Sequence, residues 1–266
     1  MIRLVAGEWL ARELDSGAFT LVDPRLRVRY LSGHAAGAIH VPMRKLFGDD
    51  GRLRPDEALA RWLGSLGVST NCPVVLYDQH DGQSAAMLAW TLVYLGHPDV
   101  RLLDAPFDSW VADGQELFYR PVEAAPAVFA LARRPELRAT AQDVFGEESA
   151  RLLDVRSAEE FSGEQVLGND RAGHIPGAAN LPWLSFARDE GQELLAPKEE
   201  LAPLLAAAGV TRERPTIVYC RSATRASVAY VALDQLGYAV SLYDGSYADW
   251  SARPELPVDT GRAAQL

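Results

Sequence analysis

The sequence predicts an α/β protein built from two tandem copies of one domain, and three observations carry that prediction. The chain repeats itself: LVDPR at residues 21–25 returns as LLDVR at 152–156, and GHAAGAIHVP at 33–42 returns as GHIPGAANLP at 173–182. Short β-rich runs alternate with stretches whose apolar residues fall at helical spacing, the pattern of a mostly parallel central sheet with helices on both faces. The 266 residues, 48% of them hydrophobic, are enough to bury two cores of ordinary domain size.

Along the chain, MIRLVAGEWLAREL mixes charges into its apolar residues and predicts a first helix; it lacks the long apolar segment and cleavage site of a signal peptide. FTLVD, VVLYD and VRLLD predict the strands of copy one, and RLLDV, TIVYC and AVSLYD those of copy two. YLGHPDVRLLD answers QLGYAVSLYD, and DSW ending at Trp110 answers ADW ending at Trp250. Asp154 follows Asp23 by 131 positions, whereas His174 follows His34 by 140, so one insertion of nine residues within 163–172 explains the drift. Between the copies, FYRPVEAAPAVFALARRPELRAT is rich in Ala and Pro and reads as a linker. The expected domains are therefore 1–122 and 123–266, with the tail SARPELPVDTGRAAQL extended over the surface.

Charge and cysteine usage exclude several classes. A formal net charge of -10, from 26 basic and 36 acidic residues, argues against nucleic-acid or anionic-membrane binding, since both need a basic surface. No apolar run approaches the roughly 18 residues of a membrane span. Cys72 and Cys220 are the two cysteines, and no Cys/His cluster has zinc-ligand spacing, so neither a disulfide framework, a metal nor a cofactor is expected. A reducing, cytoplasmic setting fits.

The chemistry concentrates in TIVYCRSATRAS, residues 216–227. An apolar strand ends on Cys220, a short loop holds Arg221 and Arg225, and SVAYVALDQLGY continues at helical spacing. In a strand-loop-helix unit the loop amides and the helix N-terminus together favour an anion, and a thiolate at Cys220 is that anion. A free cysteine at a strand end is often inert packing; the two arginines tip the reading toward reactivity. Copy one has Asp78 at the same place, so one working site is expected, in domain two, at the carboxyl end of the sheet.

LLDVR, GHIPGAANLP, the strand-end cysteine loop and LYDGSYADW together resemble the two-domain rhodanese-type sulfurtransferases over nearly the whole chain. The resemblance implies two tandem rhodanese-like domains, the first inactive, with the nucleophile at Cys220. It implies sulfur transfer from an anionic donor such as thiosulfate to cyanide or a thiol through a persulfide, in ping-pong fashion. The amides from Arg221 through Ser222, Ala223 and Thr224 to Arg225 would cradle the sulfur. Arg225, Arg221 and Arg171 are candidates to hold the donor's sulfonate, and Asp78 to face the cleft from domain one. Two departures stand out. Many members have glycine where this chain has Ala223, which would be strained at φ > 0. Tyr247 and Asp249 replace the Trp and Glu of the final motif.

Rival readings remain at this stage. Phosphatase loops place the arginine six positions after the cysteine; here that position is Ala226, and Arg225 comes one early. 3-Mercaptopyruvate is the competing donor, supported by Ser222, whereas two cationic side chains favour the compact dianion thiosulfate. A persulfide carrier that delivers sulfur to a partner protein is the third. His34 and His174, and Asp23 and Asp154, recur in both copies and read as structural; Cys72 lies ahead of a strand and reads as a bystander.

Overall fold

The computed structural model describes residues 1–79, 81–146, 149–188 and 193–261. The chain divides into two units, Met1–Arg134 with Arg188–Leu195, and Pro135–Ala187 with Ala196–Leu266. The first contains β1 (Arg3–Val5), α1 (Gly7–Glu13), β2 (Thr20–Asp23), α2 (Arg27–Leu31), β3 (Ile39–His40), α3 (Asp56–Ser65), β4 (Val74–Asp78), α4 (Gln83–Tyr94), β5 (Val100–Pro106) and α5 (Phe107–Ala112). The second contains β6 (Arg138–Ala139), α6 (Ala141–Gly146), β7 (Arg151–Asp154), α7 (Ala158–Ser162), β8 (Ala179–Asn180), α8 (Lys198–Ala207), β9 (Thr216–Tyr219), α9 (Thr224–Gln235), β10 (Val240–Tyr243) and α10 (Ser246–Ser251).

The strand orders are β1-β5-β4-β2-β3 and β6-β10-β9-β7-β8, and every pairing is parallel. The duplication read from the motifs is thus a duplication of topology. The central strands β4 and β9 are buried at every residue, which is why VVLYD and TIVY read as unbroken apolar runs rather than alternating ones. Each unit closes over its own core, one around Leu21, Val75, Tyr77, Phe107 and Trp110, the other around Leu152, Ile217, Tyr219, Tyr247 and Trp250.

The repeated motifs build the same scaffold twice. Arg25 donates to Asp23 Oδ2 at 2.7 Å and to Gly33 O at 2.8 Å; Arg156 makes the same bonds to Asp154 at 2.6 Å and Gly173 O at 2.8 Å. All four charged side chains are buried, a situation tolerated because every charge is paired. His34 and His174 each hydrogen-bond a backbone carbonyl through Nδ1, of Tyr30 at 3.0 Å and Phe161 at 2.8 Å, and stack on those rings. Their structural reading holds in both copies. Gly173 requires its φ of 107°, and any Cβ there would lie 2.0 Å from Asp259 O.

Three expectations are corrected. The N-terminus opens on the edge strand β1 before its helix, and β6 plays the same part in copy two. The boundary falls after Arg134 rather than near residue 122, because 123–134 runs as an extended ribbon along the first unit. Its amides bond that unit at Ala127 N to Gly64 O, Ala132 N to Leu95 O and Arg134 N to Tyr94 O. The tail is tied down as far as it is described: Leu256 is buried, Pro257 O accepts from Trp250 Nε1, and Asp259 bridges to His174. Among the described residues no helix is long and apolar enough to cross a membrane.

Candidate active site

Cys220 is the first residue after β9, and α9 begins four residues later at Thr224. The loop between them is fixed from beneath by the start of α10. Tyr247 N donates to Cys220 O at 2.9 Å and Ala248 N to Arg221 O at 3.0 Å. Ser246 Oγ, fully buried, accepts from Cys220 N at 3.2 Å and Ala223 N at 3.1 Å, and donates to Tyr243 O at 2.9 Å. Ala223 sits at φ 70°, ψ -39°, and Thr224 N reaches back to Ser222 O at 2.9 Å, which makes a γ-turn of the rarer positive-φ kind. The strain expected of an alanine at this position is therefore present.

This bonding decides which loop amides are left without a protein acceptor. Ala223 N is held by Ser246 and Thr224 N by Ser222, whereas the amides of Arg221, Ser222, Arg225 and Ala226 have no acceptor among the described residues. They lie where the positive end of the twelve-residue α9 adds to their effect, so the loop is a ready anion cup. Cys220 is 1% exposed, which keeps its sulfur out of bulk water.

The arginines behave differently from one another. Arg225 is bound bidentately by Glu160, Nη1 to Oε2 at 2.6 Å and Nη2 to Oε1 at 2.9 Å. Burial opposes its charge, but Glu160, Cys220 and Asp154 around it hold the guanidinium above its ordinary pKa. Burial likewise pushes Glu160 up, yet the bond and charge of Arg225, the Ser157 amide and the charge of Arg156 together outweigh it and leave the carboxyl below its usual range. Glu160 also closes a capping box on α7 with Ser157. Arg221 turns toward the inserted segment, its Nη2 3.2 Å from where a Cβ on Gly168 would stand, with its Nε buried and unbonded.

Arg171 is not brought to the loop. It donates to Ser251 O, Leu256 O, Trp250 O and Arg253 O at 2.7 to 3.1 Å, and so clamps the C-terminal segment to α10. Asp78 is likewise turned inward: its carboxylate accepts from Gln79 N at 2.8 Å and Ala85 N at 2.9 Å, filling the loop of copy one with its own side chain. Burial pushes its pKa up to about 7, with Asp81 adding to the rise against the amide bonds. Ser222 is exposed beside the cup and Thr224 half-buried at its helix end. Cys72 accepts a long bond from Thr20 Oγ1 at 3.6 Å, away from the loop.

Two residues that sequence reasoning passed over, Glu160 and Ser246, contact the loop directly. The S-x-x-E spacing of Ser157 and Glu160 marks the helix cap but not the partner 65 positions away. A third group, Arg156 Nη1, is buried without a partner, whereas its counterpart on Arg25 donates to Gln79 at 3.0 Å; Arg221 stands at the position answering Gln79. Among the described residues no set of His, Cys, Asp and Glu could hold a metal ion.

Known proteins resemble this chain along nearly its whole length. The model of the rhodanese-like domain matches twice, at residues 6–113 and 138–253. The sulfur carrier protein TtuD of Thermus thermophilus is 33% identical, with 97% of this chain and 96% of that protein aligned. The 3-mercaptopyruvate sulfurtransferase of Escherichia coli is 32% identical over 96% of this chain and 97% of its own. The thiosulfate sulfurtransferase of Corynebacterium glutamicum is 32% identical over 97% and 91%.

Proposed function

The chain belongs to the rhodanese-like family of sulfurtransferases, and from that premise we propose that Cys220 carries sulfane sulfur from thiosulfate to cyanide or a thiol. The observation that supports this most is the asymmetry of the two loops. In copy one the carboxylate of Asp78 occupies its own loop, whereas in copy two Cys220 opens a loop in which four amides have no protein acceptor among the described residues.

The Cys220 thiolate attacks the outer sulfur of thiosulfate, a new S–S bond forms, and the bond to the sulfonate sulfur breaks with its electron pair leaving on sulfite. The persulfide's terminal sulfur keeps the negative charge and rests on the amides of Arg221, Ser222, Arg225 and Ala226. Cyanide then attacks that sulfur, thiocyanate leaves, and the thiolate returns. Arg221 is the residue we assign to the donor's sulfonate, since the charge of Arg225 is already paired bidentately with Glu160. We place the reaction in the cytoplasm, where two free cysteines stay reduced.

A second reading is favoured by the name of the Thermus relative: a carrier that loads sulfur on Cys220 and passes it to a protein acceptor. Steady-state thiocyanate formation with thiosulfate and with 3-mercaptopyruvate, beside Cys220→Ala, separates the readings. A thiosulfate preference abolished by the substitution supports the proposal. A mercaptopyruvate preference makes the donor assignment wrong. Sulfur loading without turnover of either donor moves the assignment to the carrier.

A further inference from the structure

Among the described residues, the ion pair between Glu160 and Arg225 has no counterpart in the copy that lacks the cysteine. Most of the charged scaffold is duplicated, as the Asp23–Arg25 and Asp154–Arg156 pairs show. The positions that answer Glu160 and Arg225 in copy one are Arg29 and Gln83, which form no pair among the described residues. The fold therefore does not require the contact. Glu160 is 2% exposed and meets Arg225 end-on, while Arg225 lies within electrostatic reach of Cys220. Beside the sulfur the two charges sum to zero, which leaves Arg221 as the uncompensated cation of the loop among the described residues.

We infer that Glu160 sets the charge of the sulfur site, discharging Arg225 so that the amide cup holds anions firmly enough to load sulfur and loosely enough to release them. The catalytic consequence rests on the sulfur-transfer reading above, in which donor, leaving sulfite and persulfide are all anionic. Glu160 touches no reacting atom in this account; it is a positioning residue that acts through Arg225.

Glu160→Gln tests this, because glutamine at that position keeps a capping box while removing the charge. The Coulomb term is linear in ligand charge, so if freeing Arg225 tightens a monoanion about threefold, it tightens a dianion by roughly the square, about tenfold. KM for thiosulfate should fall about tenfold and KM for 3-mercaptopyruvate about threefold, with kcat falling as anionic product is held longer. A purely structural role would raise both KM values together. An independent readout is the ratio of Cys220 alkylation rates by iodoacetate and iodoacetamide, followed on the peptide that contains Cys220. It should rise about threefold in Glu160→Gln, stay near wild type in Glu160→Asp, and fall in Arg225→Gln, where Glu160 is left unbalanced. An unchanged ratio in folded Glu160→Gln, or no reversal in Arg225→Gln, overturns the inference even if the enzyme turns over both donors. The predicted ratios in a wild-type protein that turns over neither donor would uphold the charge role and remove the sulfur-transfer reading instead.

Discussion

Replacing Ser246 with alanine deletes one oxygen and should unsettle the whole loop. Its hydroxyl accepts from Cys220 N at 3.2 Å and Ala223 N at 3.1 Å and donates to Tyr243 O at 2.9 Å, in a position with no exposure. A buried donor left without a partner costs about 1–3 kcal/mol, and two amides and a carbonyl are released at once. Allowing for partial relaxation, we expect a loss of about 2–4 kcal/mol in the second unit, a large part of an ordinary domain's stability. The alanine would also keep the strained φ of 54° without the bonds that hold it there. Urea unfolding gives the free energy, and thiocyanate formation under the same buffer gives activity. Because Cys220 N and Ala223 N bracket the cup, kcat should fall at least about tenfold as the cradle loses its shape. A variant whose unfolding midpoint and slope match wild type would refute the argument that Ser246 holds the loop.

Two further outcomes follow from the backbone and the buried charge. Ala223→Gly, at φ 70°, should be neutral or stabilising by up to about 1 kcal/mol in thermal melts, against the usual penalty for buried Ala→Gly; a loss above that range contradicts the strain reading. Asp78 titrates near 7 when folded and near 3.8 when unfolded, so the folded state holds the extra proton between those values. Its contribution is present below the unfolded pKa and is lost as pH rises through the folded one. Stability should therefore decline by up to about 1.4 kcal/mol per pH unit across that window and level off above it. Asp78→Asn should flatten the slope measured by urea midpoints from pH 5 to 8, and parallel curves for the two proteins would sink the assignment.

Much of the fold was legible because its signals are contiguous. The repeat, the buried parallel strands and the strand-loop-helix unit at Cys220 each lie within a few consecutive residues, and Ala223 stood out as a position that favours glycine. What escaped depends on tertiary placement. β1 and β6 are three and two residues long and become strands only by pairing with β5 and β10. Ser246 is 26 positions from Cys220 and Glu160 is 65 from Arg225, and nothing local links them. Arg171 stands beside GHIPGA in sequence, yet its guanidinium is claimed by four carbonyls of the C-terminal segment, which no spacing rule announces.

The most direct test of the account is a single-turnover reaction of reduced protein with thiosulfate in the absence of an acceptor, read by released sulfite and intact mass. The account predicts one equivalent of sulfite per chain and a gain of about 32 Da, one sulfur atom, on the Cys220 peptide and not on Cys72. Sulfite release without added mass, or sulfur carried on Cys72, would contradict it.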